Sequence, residues 1–166
     1  YVSKVLDICS IKEFTIEELL MHKYDENYNV AESLKNLIAK IGENIVIRRI
    51  AYLSNNDGQY VFGSYIHNKI NTKLGKMACI TKLKTNVSIE AVAGLANKIA
   101  MHITASKPLA INESALNSNL VAKEKEIFVA QLKESGKPDN IIEKIVEGKL
   151  KKYLSEVTLI NQNWII

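Results

Sequence analysis

Apolar residues recur at helical spacing through the first forty positions, at alternate positions through the middle, and at helical spacing again to the end. Tyr1, Val5 and Ile8 form a first short helical stripe. Thr15 with Glu18 has capping-box spacing and opens a second short helix, which fades at Tyr24-Asp25-Glu26-Asn27. Asn29 with Glu32 repeats the box. Behind it Val30, Leu34, Leu37, Ile38 and Ile41 fall on one face. Gly42 supplies the left-handed residue that ends a helix at little cost, so Ile41 reads as a last-turn core residue beside its cap.

The period then shortens. Residues 45–54, 59–68 and 76–84 are dense in β-branched and aromatic side chains and predict three strands. Ser54-Asn55-Asn56-Asp57-Gly58 is a turn sequence, and 68–75 is a longer, lysine-bearing link, so consecutive strands form an antiparallel meander. In that register Ile45 pairs close to His67, and the helix end at Ile41-Gly42 meets the histidine at one end of the sheet. Residues 88–104 return to helix, with Ser88 as cap and Ile89, Val92, Ala96, Ile99 and Ile103 as the stripe. Pro108 bars its continuation. Residues 118–134 and 138–154 predict two helices joined by Ser135-Gly136-Lys137-Pro138, a link short enough to fold them back on each other. Their facing stripes are Leu120, Glu124, Ile127 and Gln131, widened by Val121, Phe128 and Leu132, against Ile142, Ile145, Val146, Leu150 and Tyr153. Residues 157–160 return as an extended segment. The expected fold is α+β: a three-stranded antiparallel sheet flanked by helices, with a projecting antiparallel helical hairpin.

Composition leaves this picture unchanged. Of the 166 residues, 47% are apolar and 24% charged, as in globular domains. No apolar run has the length of a membrane span, and no secretory signal opens the chain. Charge adds one feature. Residues 1–44 hold five Lys/Arg and eight Asp/Glu, whereas residues 45–86 hold seven basic groups and one acid. The sheet region is therefore a basic patch, suited to an acidic partner surface or to phosphate. No aromatic stripe of the kind that stacks single-stranded bases accompanies it, which weighs against nucleic acid. Cys9 and Cys79 lack CxxC partners and read as apolar packing residues in a reducing compartment. GxGxxG, Walker-type and HExxH motifs are missing. His22, His67 and His102 lie far apart in sequence, with no Cys, Asp or Glu at ligand spacing, so neither a metal site nor a nucleophile–base pair is indicated. Glu17-Glu18 sits in a first helical turn, where the helix dipole accounts for it. Tyr1-Val2-Ser3-Lys4-Val5 weakly echoes Leu95-Ala96-Asn97-Lys98-Ile99, as though a sheet-plus-helix unit were duplicated.

Several blocks resemble elongation factor Ts. They are Lys40-Ile41-Gly42-Glu43-Asn44-Ile45 with Arg48-Arg49, Gly63-Ser64-Tyr65 with His67, Ile99-Ala100-Met101-His102-Ile103 with Ala105-Ser106-Lys107-Pro108, Gly136-Lys137-Pro138, Glu143 to Gly148, and Glu156-Val157. The resemblance implies a translation elongation factor that binds the GTPase elongation factor Tu and promotes GDP release and GTP exchange, in the bacterial cytoplasm or alternatively an organellar matrix. It implies a core over 1–113 (helices to 43, sheet and helix over 44–113), a helical hairpin over 114–156 and a return segment over 157–166. It places Ile41, Gly42 and His67 at the GTPase contact. No bond is made or broken in such exchange, so the chain is not an enzyme in the chemical sense and needs no cofactor of its own. The family's Thr-Asp-Phe motif would lie before Tyr1, and its amino-terminal domain is also missing. Gln162-Asn163-Trp164-Ile165 replaces Gln-Pro-Phe-Val. With no initiator Met, the chain reads as a piece of a longer polypeptide with reduced exchange activity. Two alternatives compete: a docking or homodimerisation module seamed along Ile142, Val146 and Leu150, and an RNA-binding basic sheet, whose binding would fall steeply with salt.

Overall fold

A computed structural model describes residues 1–55, 59–134 and 138–165. The chain divides into two compact units: Tyr1–Gln59 with Asn68–Lys76, and Tyr60–His67 with Met77–Ile166. The class is α+β. No helix among the described residues is long and apolar enough to cross a membrane.

The first unit holds helices α1 (Val2–Cys9), α2 (Ile16–Met21) and α3 (Val30–Ile41). Both capping boxes form. Thr15 accepts from the Glu18 N–H while the Glu18 carboxylate accepts from the Thr15 N–H, and Asn29 and Glu32 do the same for α3. These caps satisfy amides that a helix leaves orphaned at its start. Val5, Ile8, Phe14, Leu19 and Val30 make the core, with Tyr1, Tyr24, Ile47 and Ile50 packed against it. Tyr1 also donates its hydroxyl to the Val30 carbonyl at 3.1 Å and stacks on Tyr24.

The expected first strand does not form. Residues 42–55 are without regular secondary structure, and the sheet has two strands rather than three. Burial alternates in two short runs: Ile45 and Ile47, then Ile50 and Tyr52, are half-buried and Val46, Ala51 and Leu53 exposed, with the phase slipping at Arg48 and Arg49, which are both exposed. Strand propensity reports a fit to a half-buried pleated surface, not a partner. Here the inward side chains pack on α1 and α2, and the Tyr52 hydroxyl accepts from the Phe14 N–H at 3.2 Å. Ile45 lies in the first unit and His67 in the second. The turn predicted at Asn56-Asp57-Gly58 lies outside the described residues.

The second unit is built on a hairpin of β1 (Tyr60–Lys69) and β2 (Gly75–Lys84), covered by α4 (Ile89–Ser106). The hairpin's turn belongs to the first unit: there the Ile70 N–H donates to the Leu74 carbonyl, and the Asn71 side chain accepts from the Lys73 and Leu74 N–H groups. The expected α4 stripe holds in large part: Ala96 is buried and Val92, Ile99 and Ile103 are half-buried, while Ile89 is exposed and Ala100, His102 and Thr104 are buried beside them. Ala96 is small because the helix backbone lies against Gly63 of β1. A Cβ built there would strike the Ala96 carbonyl and lie 2.6 Å from the Thr81 hydroxyl. Thr81 donates that hydroxyl to the Ala96 carbonyl at 3.1 Å, and the Ser64 N–H donates to the Asn97 side chain at 2.9 Å. Ser88 stands at the α4 N-cap, but its side chain makes no cap bond. Both cysteines are half-buried free thiols, and Cys9 packs against the core of the first unit.

Helices α5 (Ser118–Lys133) and α6 (Asp139–Val157) pack on each other through Leu132, Ile142 and Val146, flanked by Phe128, Val129 and Ile145. The contacts pair early with late: Phe128 meets Tyr153 and Lys149, and Leu132 meets Ile142 and Val146. The seam on α6 is the expected one. On α5 it is shifted from the one expected, since Leu120 and Ile127 are exposed and Phe128, Val129 and Leu132 meet α6. Ser135-Gly136-Lys137 lies outside the described residues. After α6, Thr158 bridges Ala110 in parallel, and the chain turns through a short 3-10 segment, Leu159–Asn161, instead of staying extended.

Three outcomes follow from this packing. Gly63→Ala should destabilise the chain by about 3 kcal/mol or more, because the obstacle is backbone and cannot move aside as a side chain would; denaturant unfolding measures it. Ile142→Asp should cost roughly 2–5 kcal/mol by placing a charge in a seam left 4% exposed, and Leu150→Asp less, since Leu150 is only half-buried; helical circular dichroism and melting read both. The Glu18 carboxyl is held below the usual carboxylate range, first by the Thr15 N–H and then by Lys12. Its contribution is complete above the ordinary carboxylate value and is lost as pH falls through the lowered one. Glu18→Gln should therefore flatten the acid limb of a stability–pH curve.

Candidate functional site

The sequence-predicted residues fall in both units: Ile41 and Gly42 in the first, His67 in the second. Gly42 caps α3 with φ 74° and ψ 10°, and its N–H donates to the Ile38 carbonyl at 2.8 Å. Glycine is required by that angle, not by crowding, since a Cβ there would meet nothing within 4 Å. Ile41 does not seal a core. It is 47% exposed at the end of α3, and Gly42 through Asn44 beyond it are exposed and without regular structure. An apolar side chain presented on a well-capped helix end is available to a partner at little ordering cost.

His67 lies on β1, two residues from Tyr65 and therefore on the same strand face. The Tyr65 hydroxyl stands 3.3 Å from His67 Nδ1, and the rings are 6.1 Å apart. Together they line an open cavity of about 490 Å³ whose other walls include Met77, Met101, Thr104, Lys107 and Ile165. Met77 and Met101 give it an adaptable apolar lining. Lys107 takes the left-handed conformation, φ 49°, as the C-cap of α4, with its N–H on the Ile103 carbonyl. The position is fixed by Pro108, which ends the helix. Sequence reasoning found His67 and missed this setting. Period-2 spacing would have given Tyr65; nothing local marks Met77 or Ile165, which reach the cavity through the tertiary fold.

Beneath this surface His102 is 1% exposed. Its Nε2 is 3.1 Å from the Gln162 amide oxygen, which also accepts from the Ser106 hydroxyl at 2.8 Å. The Gln162 amide nitrogen donates to the Glu156 carbonyl at 2.7 Å. The oxygen is thus oriented toward His102, and Nε2 carries the proton. Trp164 stacks on the ring at 5.0 Å with planes 15° apart. His102 is thus packed between α4 and the last segment, and its Nδ1 is buried with no hydrogen-bond partner among the described residues. Gln162 and Trp164 hold the last segment against α4, and so set Ile165 in the cavity wall.

The family model for elongation factor Ts matches residues 2–166. The chain belongs to the elongation factor Ts family. Among relatives of that name, the protein of Rickettsia massiliae is 40% identical over 152 residues, 91% of this chain and 48% of the relative. That of Rhizobium etli is 41% identical over 138 residues, 83% of this chain and 44% of the relative. That of Rickettsia felis is 39% identical over 152 residues, again 48% of its length. The chain therefore spans about half the length of the curated elongation factor Ts relatives it matches. Within the matched span lie both the Ile41-Gly42 turn and the His67 cavity.

Proposed function

We propose that the chain is the GTPase-binding core of a guanine nucleotide exchange factor for elongation factor Tu, working in bacterial cytoplasm. The family match over residues 2–166 carries this reading. The surface chemistry supports it. An exposed Ile41 beside a backbone-only Gly42, and a histidine at an open, methionine-lined cavity, are features of a protein-binding surface and not of a reaction centre. The basic balance of residues 45–86 suits an acidic partner surface. Helices α5 and α6 act on this reading as a projecting antiparallel hairpin that extends the contact.

The mechanism is linkage. A factor that binds the nucleotide-free GTPase more tightly than its GDP form must weaken GDP, and GDP must weaken the factor by the same ratio. No covalent step is involved, and nucleotide and magnesium belong to the partner. Ile41, Gly42 and His67 supply binding free energy; what they distort lies in the GTPase. The homodimer alternative loses its expected seam, because Ile142 and Val146 are buried against α5 of the same chain.

Release of fluorescent GDP from elongation factor Tu tests the proposal. The chain should bind the GTPase and accelerate release, but less than a full-length relative. His67→Ala should weaken binding by about 1–2 kcal/mol, the cost of truncating a partly buried interface side chain, and leave the melting temperature nearly unchanged. Ile41→Ala should weaken binding with little loss of stability, since that side chain is exposed. Undiminished exchange with both variants would overturn the assignment of these residues, and no binding of elongation factor Tu would overturn the function.

A further inference from the structure

Strand β1 and helix α4 run the same way. Gly63 meets Ala96, the Ser64 N–H meets the Asn97 side chain, and Tyr65 and His67 share the cavity of about 490 Å³ with Met101, Thr104 and Lys107. Residues 63, 65 and 67 stand on one face of the strand. At Gly63 the helix comes too close for any side chain, so the next two side chains on that face are those of Tyr65 and His67. Both are half-buried.

The Tyr65 hydroxyl stands 3.3 Å from His67 Nδ1, and among the described residues it is the only hydrogen-bond partner of that ring. Nε2 has no partner there, yet it reaches the surface, since His102 Nδ1 is the only side-chain polar atom among the described residues that is both buried and unpartnered. The bond made by one imidazole nitrogen sets whether the other carries the proton. A phenol is a stronger proton donor than a neutral imidazole N–H, and a bare imidazole nitrogen is a stronger acceptor than a phenol oxygen. The favoured arrangement is therefore the Tyr65 O–H donating to Nδ1, with the His67 proton on Nε2. It also selects one of the two flips of the ring. At 3.3 Å the bond is long, as such bonds often are before a partner arrives.

We propose that Tyr65 is the positioning residue of His67: its hydroxyl holds the ring as the Nε2–H tautomer and presents Nε2–H as a donor to an oxygen of the GTPase. This rests on the exchange reading above and adds to it a residue and a direction of hydrogen bonding. Without the hydroxyl, binding would have to select both tautomer and flip from a mixture, and affinity would be spent on that selection.

Tyr65→Phe tests this, because it keeps the ring, whose centroid lies 6.1 Å from that of His67, and removes only the hydroxyl. Two-bond ¹H–¹⁵N correlations of the free whole chain at about pH 8.5, above the ordinary imidazole range, read the tautomer. The unaltered chain should show His67 protonated at Nε2 alone, and Tyr65→Phe should add the Nδ1–H form. Nδ1–H in the unaltered chain, or one pattern in both chains, overturns the inference. Binding to elongation factor Tu should weaken about three- to tenfold in Tyr65→Phe, with an unchanged melting temperature, and should not weaken further when Tyr65→Phe is added to His67→Ala. The same loss in both backgrounds overturns the inference, because Tyr65 would then act on its own. His67→Gln, whose longer side chain keeps an amide donor near the place of Nε2, should bind more tightly than His67→Ala, and equal loss in the two overturns the donor role. An unaltered chain that does not bind elongation factor Tu overturns the exchange reading and the partner's share of the inference together, whereas the tautomer is judged on the free chain.

Discussion

The second unit depends on one close approach: α4 lies so near β1 that the Ala96 carbonyl occupies the space where a Gly63 side chain would stand. Several features follow from that distance. The inward face of α4 must be small, hence Ala96 and Ala100 in place of leucines. The Ala96 carbonyl, pressed against the hairpin, also accepts from the Thr81 hydroxyl of β2. A glycine inside a strand weakens it locally and marks a place where another backbone comes close. Here the cost is offset by a two-stranded sheet that could not persist alone and is held by the helix. The fixed hairpin in turn sets the direction of Tyr65 and His67, two and four residues further along the same strand.

The first unit solves its packing problem differently. Its helices are short, six to twelve residues, and helices of that length do not form stably in isolation. Two complete capping boxes and one contiguous core of five buried residues compensate. The segment after Gly42 contributes side chains to this core without contributing a ladder.

What could be read in the sequence divides along the same physical line. Local features were legible. The Thr15–Glu18 and Asn29–Glu32 boxes, the left-handed Gly42, the β1 and β2 strands, and helices α4 to α6 all rest on interactions spanning a few residues. Features that need a distant partner were not. Residues 45–54 carry the alternation of a strand, but the neighbour that would make them one is a tertiary fact. The α4 stripe was legible through Val92, Ala96, Ile99 and Ile103 but not the burial of Ala100 beside it, which follows from how close a backbone can come, and α5 meets α6 along Phe128, Val129 and Leu132 rather than Ile127. At the candidate site, Gly42 was legible for its conformation, but the exposure of Ile41 was not, because a helical stripe does not reveal where the covering layer stops.

The candidate contacts share a property that bears on the proposed exchange. The Ile41-Gly42 turn follows a helix whose last bond, Gly42 to Ile38, is 2.8 Å long. His67 sits on a strand cemented to α4, and the cavity beside it is walled by a segment that Gln162 and Trp164 pin to a buried histidine. Each element is locally ordered before a partner arrives. A factor acting by linkage can shift its partner only by the difference in its affinity for the partner's two states. Affinity spent on ordering the factor's own surface would be lost from that difference. On the exchange reading, the caps and the close-packed hairpin are therefore part of the mechanism: they leave the binding free energy of Ile41, Gly42 and His67 available to distort the GTPase.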